Sequence, residues 1–467
     1  MGYRMKTIFT TLIILLSVIG LHAQQQQPPQ VYAINAREAV DLAFKNAAGL
    51  KNARLDLKIS EARNKEITGM ALPQVSASVQ GNHYLSLPQI QFPDGSEVQI
   101  YDILREEGVR DASGNPITKE GEFQYRNFSF LVPWNLNGGI SVNQLLFEPQ
   151  VFVGLEARKA LLEGSNLQIK VAEDKVRETV YKSYYAVLIS QKQVGFLQES
   201  IIRLEKLARD QNEMFKQGFV EKLDIDKTTV TLNNTRTTAL QLQNAVKIGL
   251  AVLKMNLGLS QADSLVLKDT LSAGYIKEGI LEDNFNYEDR NEIKLLNNAV
   301  KLQGYDIRRY KLSYFPTVAA FYNYQRNGQK RSGEPWFWYS TNLVGLSVNI
   351  PIFDGFQKKY KIQQSRFHLE KVQNTLDQTR KGIDLEKTVA RNTLTNAILT
   401  MDSQEKNMEL AQNVYNTVKK KYEQGLGSSF EILQADTEFQ QAQSNYFKAL
   451  YDAIVAKISY QRALGKL

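Results

Sequence analysis

The feature that most constrains this chain is an internal duplication. Phe215–Gly258 is written again as Tyr422–Gly465 at one constant offset and without a gap. Gln217-Gly218 falls on Gln424-Gly425, Asp224-Ile225 on Glu431-Ile432, and Leu257-Gly258 on Leu464-Gly465. Each copy starts at the end of a long helical run, breaks at a glycine and begins a second run. A glycine there supplies the positive φ that ends a helix, so each copy reads as a helical hairpin. The chain is therefore two similar halves, and repetition of this kind decides the fold before any local pattern does.

The 467 residues contain 11 Pro, and several fall where other signals mark a break: Pro73, Pro133, Pro149, Pro316, Pro335 and Pro351. The formal charge of +8 is mixed in sign and spread over long segments. Without a dense Lys/Arg block interleaved with aromatics, it reads as solvated helix faces, not a nucleic-acid surface. Cys is absent, which excludes disulfides, thiolate metal sites, a Cys nucleophile and a lipid-anchored N-terminal Cys. The three His (His22, His83, His368) are far apart, and no HExxH, Walker, GxGxxG or GxSxG motif is present. Carboxylates such as Glu61, four residues before Lys65, read as surface pairs on helices. No catalytic site, cofactor or metal site is expected.

Residues 1–23 read as a secretory leader: Arg4 and Lys6, an apolar core from Ile8 to Leu21, and Leu21-His22-Ala23 before Gln24. The apolar core is short of the ~20 residues that a spanning helix needs, and no later run reaches that length. Entry into a membrane would have to use β-strands.

After a polar lead (24–30), Asn35 is a plausible N-cap for a helix running to about Ala71. Pro73 stops it and the period changes to two, with Val75, Ala77 and Val79 alternating with Ser76, Ser78 and Gln80. Residues 85–125 read as one long loop, which demands an exposed or functional explanation. A second strand ends in Leu145-Leu146-Phe147. From about Val151 to Phe215 apolar residues step by threes and fours (Val176, Val180, Tyr184, Val187; Val194, Leu197, Ile201, Leu204, Ala208), a coiled-coil seam. A helix of that length is on the order of 100 Å long. The second half repeats this order: a helix to Leu312, Pro316, a strand, a shorter loop from Arg326 to Tyr339, a strand closing on Ile352-Phe353-Asp354-Gly355, a long helix, the Gly425 turn and a last helix.

The expected domains are a leader (1–23), a first repeat (24–258), a connector (259–285) with Gly274 and Gly279, and a second repeat (286–467). The strands are expected at about 74–84, 137–147, 316–325 and 341–353, and the hairpin tips near 218 and 425. Four strands cannot close a barrel and would leave open edges. Apolar faces opposite small polar ones, without a spanning helix, suit a barrel wall between lipid and water, and three copies give twelve strands around a water-filled bore. Trp134, Trp336 and Trp338 all lie beside these strands, as an interfacial aromatic girdle would require.

In both halves the order and spacing resemble the TolC-like outer membrane efflux factors. The residues that carry the resemblance are Ala71-Leu72-Pro73-Gln74 and Tyr314-Phe315-Pro316-Thr317, the strand ends Leu146-Phe147-Glu148 and Ile352-Phe353-Asp354-Gly355, and the two tips with the acids just past them. The resemblance implies a mainly helical homotrimer: a 12-stranded outer-membrane β-barrel continued through the periplasm by a helical barrel. It implies a passive exit duct, not an enzyme, in the outer membrane of a Gram-negative bacterium. It also implies docking by a periplasmic adaptor (a membrane fusion protein) attached to an inner-membrane transporter, contact with outer-membrane lipid, and no nucleic acid. Carried over, Gly218, Phe219, Gly425, Leu426 and Gly427 are tip and docking residues, and Asp224, Glu431 and Gln434 line the entrance. Gly427 stands where well-studied members have Arg, and Gln434 where an acidic residue rings the bore. Those departures imply different closed-state pairs and a less acidic entrance. The competing reading is a secreted or surface-associated coiled-coil structural or adhesion protein, which leaves the paired strands unexplained. A periplasmic enzyme lacks a convergent site.

Overall fold

The computed structural model describes residues 30–94, 96–117, 124–270, 276 and 285–467. The leader, Gly95, Gly274 and Gly279 lie outside the described residues. The first half runs β1 (Val31–Ile34), α1 (Ala36–Asn46), α2 (Ala48–Gly69), β2 (Gln74–His83), β3 (Ile90–Asp94), α3 (Ser96–Glu106), β4 (Gln124–Phe128), β5 (Trp134–Phe147), α4 (Pro149–Lys216), α5 (Lys222–Leu257) and β6 (Ser264–Leu267). The second half has a 3-10 turn (Tyr287–Asp289), α6 (Asn291–Leu312), β7 (Thr317–Lys330), β8 (Phe337–Asn349), α7 (Gln357–Glu423) and α8 (Ser429–Ala463). Both halves thus share the order helix, strand, strand, long helix, glycine turn, helix.

The chain divides into two compact units, and each draws on both halves. One holds the described residues up to Ser60, with Ala160–Lys301 and Leu369–Leu467; the other holds Glu61–Lys159 and Leu302–His368.

The first unit is helical. Along α4 the expected seam is buried at Val180, Tyr184, Val187 and Leu204. Val180, Tyr184 and Leu188 pack with Ala36, Ala39, Val40 and Ala43 of α1 and with Leu253 and Leu257 of α5. A second cluster joins Ile189 to Met401, Phe447, Leu450, Ala453 and Ile454. Nearer the turns, Leu207 packs with Tyr415, Ile432, Ala435 and Phe439. Ser200 and Gln211 are fully buried on the same stripe, which an apolar count passes over.

Asn35 caps α1 as expected: its side chain accepts from the Glu38 amide at 2.8 Å, and Glu38 accepts in return from the Asn35 amide at 2.9 Å. The single helix expected from Asn35 to Ala71 is instead broken at Ala47, whose ψ of 126° is not helical. The cause is tertiary. Gly258, just past α5, has φ +70°, and a Cβ on it would lie 2.5 Å from the Asn46 carbonyl oxygen. Gly465, its counterpart past α8, has φ +71° and sits the same way on the Asp289 carbonyl, at 2.9 Å. In both halves the return helix thus ends backbone to backbone on the break that precedes the helix leading into the sheet. Arg290 fixes the second junction: it is buried, pairs with Glu292 and Glu386, and donates to the Ala463 carbonyl at 3.0 Å. The residues between the polar lead and Asn35, and the connector, also hold strands that local pattern did not reveal. β1 and β6 pair in parallel from Val31↔Ser264 to Ile34↔Leu267.

The second unit is built on a four-stranded antiparallel sheet of order β2-β5-β7-β8. Its register puts Gln74 beside Asn143 and Thr317 beside Asn349, at the end where the strands join helices. At the other end His83 is beside Trp134, and Trp134 beside Lys330. β7 and β8 stay paired out to Gln329↔Phe337, so the loop expected from Arg326 to Tyr339 shrinks to the turn after Lys330. The alternation fades there because Arg326, Gly328 and Lys330 take the places of apolar residues on the face that Val318 to Tyr324 begin, and cross-strand pairing sets the extension. The long loop expected at 85–125 is also corrected: it contains the β3–β4 ribbon and α3. Asp111 organises the turn after α3, accepting from the amides of Ser113 and Asn115, both at 2.9 Å.

Candidate functional site: an uncovered sheet and two glycine turns

The four-stranded sheet has two different faces. On one, Val75, Ala77 and Val79 of β2 align through the register with Ile140 and Val142 of β5, with Val318, Ala320, Tyr322 and Tyr324 of β7, and with Val344, Leu346 and Val348 of β8. Val79 and Val344 on this face are each 79% exposed. On the other face are Ser76, Ser78 and Gln80, Ser141 and Asn143, Asn323 and Gln325, Ser347 and Asn349. Ser76 and Ser141 hydrogen-bond across it at 2.7 Å. Both edge strands, β2 and β8, are exposed along nearly their whole length. An apolar sheet face without a protein layer over it is stable only against another apolar medium. The stretch of β7 from Val318 to Gly328 covers ~33 Å along the strand, or ~25 Å along a membrane normal at a tilt of ~40°.

The three Trp lie at the end of the sheet away from the long helices. Trp134 opens β5 and stacks on His83 at 3.8 Å; Trp336 and Trp338 stack at 5.8 Å at the start of β8. At the helix-joined end the exposed aromatics are Tyr314, Phe315, Phe147, Phe353 and Phe356.

The two hairpin turns have one geometry. Gly218 and Gly425 have φ +80° and +75°. The amide of Phe219 donates to the Met214 carbonyl at 2.9 Å and that of Gly218 to Phe215 at 2.9 Å; Leu426 and Gly425 donate likewise to Lys421 at 2.9 Å and Tyr422 at 3.0 Å. This six-to-one and five-to-two pairing is the Schellman motif, which satisfies the last carbonyls of α4 and α7. Nothing lies within 4 Å of a Cβ added at either glycine, so only φ demands Gly there. The turns hold out apolar side chains: Phe219 is 73% and Leu426 77% exposed.

The return helices start differently after the two turns. Ser428 caps α8 by accepting from the Glu431 amide at 3.2 Å, whereas Glu221 starts α5 without a side-chain cap. Asp224 and Glu431 each fall in the first turn of a return helix, where a carboxylate suits the dipole. Asp224 is half-buried and Glu431 exposed. Gln434 donates to Glu438 at 2.9 Å, and Gly427 is close against the Tyr422 backbone. Within the single chain these contacts do not join Asp224, Glu431 and Gln434 to one another.

Sequence reasoning missed a polar knot further along the same hairpins. Asp436 of α8 is 2% exposed and accepts from Ser200 Oγ at 2.9 Å, Arg203 Nε at 3.0 Å and Gln440 Nε2 at 2.6 Å. The Arg203 guanidinium lies over the rings of Tyr415 and Phe439 at 5.3 and 5.5 Å. Burial, and then the Asp436 charge, push the Tyr415 phenol up. The signal was legible: Asp436 occupies the stripe set by Ile432, Ala435 and Phe439, where a carboxylate needs a partner. Among the described residues there is no cluster of side chains that could hold a metal ion, and no helix is long and apolar enough to cross a membrane.

Residues 293–466 match the family described as outer membrane efflux protein. The alkaline protease secretion protein AprF of Pseudomonas aeruginosa is 20% identical over 334 residues, 68% of this chain and 67% of that protein. The outer membrane protein TolC of Vibrio cholerae is 18% identical over 343 residues, 71% of this chain and 77% of that one. Among solved structures, one of CusC, described in terms of folding and transmembrane channel formation, superposes with a TM-score of 0.69 at 13% identity, covering 94% of this chain and 95% of that one. The outer membrane efflux protein family thus matches the second half, relatives at about 20% identity span more than two thirds of the residues, and nearly all of the chain shares the fold of that solved structure.

Proposed function

We propose that three copies of this chain close one 12-stranded barrel in the outer membrane and form a passive exit duct. Cargo enters it from a periplasmic adaptor and an inner-membrane transporter and leaves to the cell exterior. The observation that carries this is the sheet, with an exposed apolar face, an exposed polar face and two unpaired edges. Lipid covers the apolar face, water the polar one, and the β2 edge of one copy pairs with the β8 edge of the next, which removes every open edge. The family consists of channel proteins, the outer membrane components of tripartite export systems. The finer assignments are ours. Gly218, Phe219, Gly425, Leu426 and Gly427 form the adaptor-docking surface; Asp224, Glu431 and Gln434 form the entrance; Trp134, Trp336 and Trp338 mark the outer membrane interface. The two repeats (24–258 and 286–467) are joined by the connector at 259–285. A coiled-coil adhesion protein has no use for a two-faced sheet left open on both sides.

The test is reconstitution. Protein extracted in mild detergent is expected to run as a heat-modifiable trimer and to give discrete conductance steps in a planar bilayer. A stable monomer that extracts without detergent and gives no conductance refutes the reading.

A further inference from the structure

The four strands of the sheet contain no acidic residue and two cations, Arg326 and Lys330, both on β7. Both stand on the apolar face. Arg326 is in register with Gly138 and Ser340, and Lys330 with Trp134. They lie four residues apart on one strand, ~13 Å along it, at the end away from the long helices. Aromatic rings fill the space between. A Cβ on Gly328 would lie 2.8 Å from the Trp338 ring, so the indole lies across that glycine, and the Arg326 guanidinium sits 5.5 Å over the same ring. His83 and Trp134 are stacked in the row of Lys330. Neither cation has a carboxylate partner among the described residues. A cation on a lipid-facing strand is costly at midplane but not near the interface, which sets this pair at the membrane surface, where anionic headgroups attract it.

We propose that this rim binds a phosphorylated glycolipid of the outer leaflet, with Arg326 and Lys330 each taking one phosphate, Trp336 and Trp338 stacking on the sugar, and the acyl chains lying along Val344, Leu346, Tyr322 and Tyr324. Charge complementarity selects an anion, the apolar band below selects an amphiphile, and two separated cations select a headgroup with two phosphates over a phospholipid with one. The proposal rests on the duct reading, which sets this end of the sheet at the outer surface.

The test uses delipidated wild-type trimer in detergent, titrated with bisphosphorylated lipid A, its monophosphorylated form and phosphatidylglycerol, with bound lipid counted by native mass spectrometry. Affinity is expected to fall in that order. R326Q and K330Q are each expected to weaken bisphosphorylated lipid A by about tenfold, and the charge-preserving R326K/K330R variant to retain it. Equal binding of the glycolipid by wild type and the R326Q/K330Q double variant overturns the site. Equal binding of phosphatidylglycerol and lipid A by wild type, a comparison independent of any variant, overturns the glycolipid assignment. Conductance of the same wild-type preparation separates these failures from failure of the duct reading, since a duct without this site still conducts.

Discussion

Four glycines with nearly the same φ are expected to tolerate alanine very differently. Gly218 and Gly425 have open space around an added Cβ, whereas Gly258 and Gly465 have a backbone carbonyl there. At the turns, alanine has only the left-handed backbone to bear, ~1 kcal/mol. At Gly258 the new Cβ would stand 2.5 Å from the Asn46 oxygen and 2.6 Å from its carbon, so α1 or the end of α5 must shift. Overpacking of that kind adds ~1–3 kcal/mol to the backbone term, for a total of ~2–4 kcal/mol. At Gly465 the nearest atom is 2.9 Å away, but it is the Asp289 oxygen, and the adjacent Arg290 is held by Glu292, Glu386 and the Ala463 carbonyl. That carbonyl has little freedom to yield. At ~2.1 cal/mol/K of unfolding entropy per residue, a cooperative unit of 467 residues shifts ~1 °C in Tm per kcal/mol. Thermal unfolding of the detergent-solubilised protein, at one scan rate for all variants, is expected to place Gly218→Ala and Gly425→Ala within ~1 °C of wild type and Gly258→Ala ~2–4 °C below it. If Gly258→Ala unfolds with Gly218→Ala, the backbone contact at Asn46 does not constrain the fold and the reasoning fails.

Asp436→Leu removes the acceptor shared by Ser200, Arg203 and Gln440 and should destabilise by ~3 kcal/mol, while Asp436→Asn, which keeps an acceptor oxygen, should cost roughly half as much; denaturation midpoints compare them. A cysteine at Ser113, chosen because Gly114 has φ +84° and would be strained, should react with an impermeant maleimide in intact cells, and labelling only after lysis would reverse the topology. Gly425→Trp adds bulk at the exposed turn and is expected to abolish efflux while the trimer still forms, as an efflux assay with parallel gel analysis would report. Glu431→Lys is expected to change conductance and lower cation preference in single-channel recordings; an unchanged channel leaves Glu431 only its place in the first turn of α8.

The duplication, the order of elements, the two turns and the alternation of β2 were legible in the sequence because each rests on local chemistry. A glycine at positive φ, a period of two after a proline and a period near 3.5 over some sixty residues need no partner to be recognised. The break at Ala47 was not legible: one weak helix former, Asn46, beside two alanines does not end a helix by itself, and the break coincides with the approach of Gly258, two hundred residues away. The β1–β6 pair was hidden for a similar reason, since four-residue parallel strands draw their stability from each other and carry little pattern of their own. The reach of β7 and β8 past Gln325 comes from cross-strand pairing over residues that no longer alternate. Asp436 lies between these cases. Its spacing placed it on the buried stripe of α8, but only the packing of α4 against α8 supplied Ser200 and Arg203, and with them the reason that a carboxylate can be buried there.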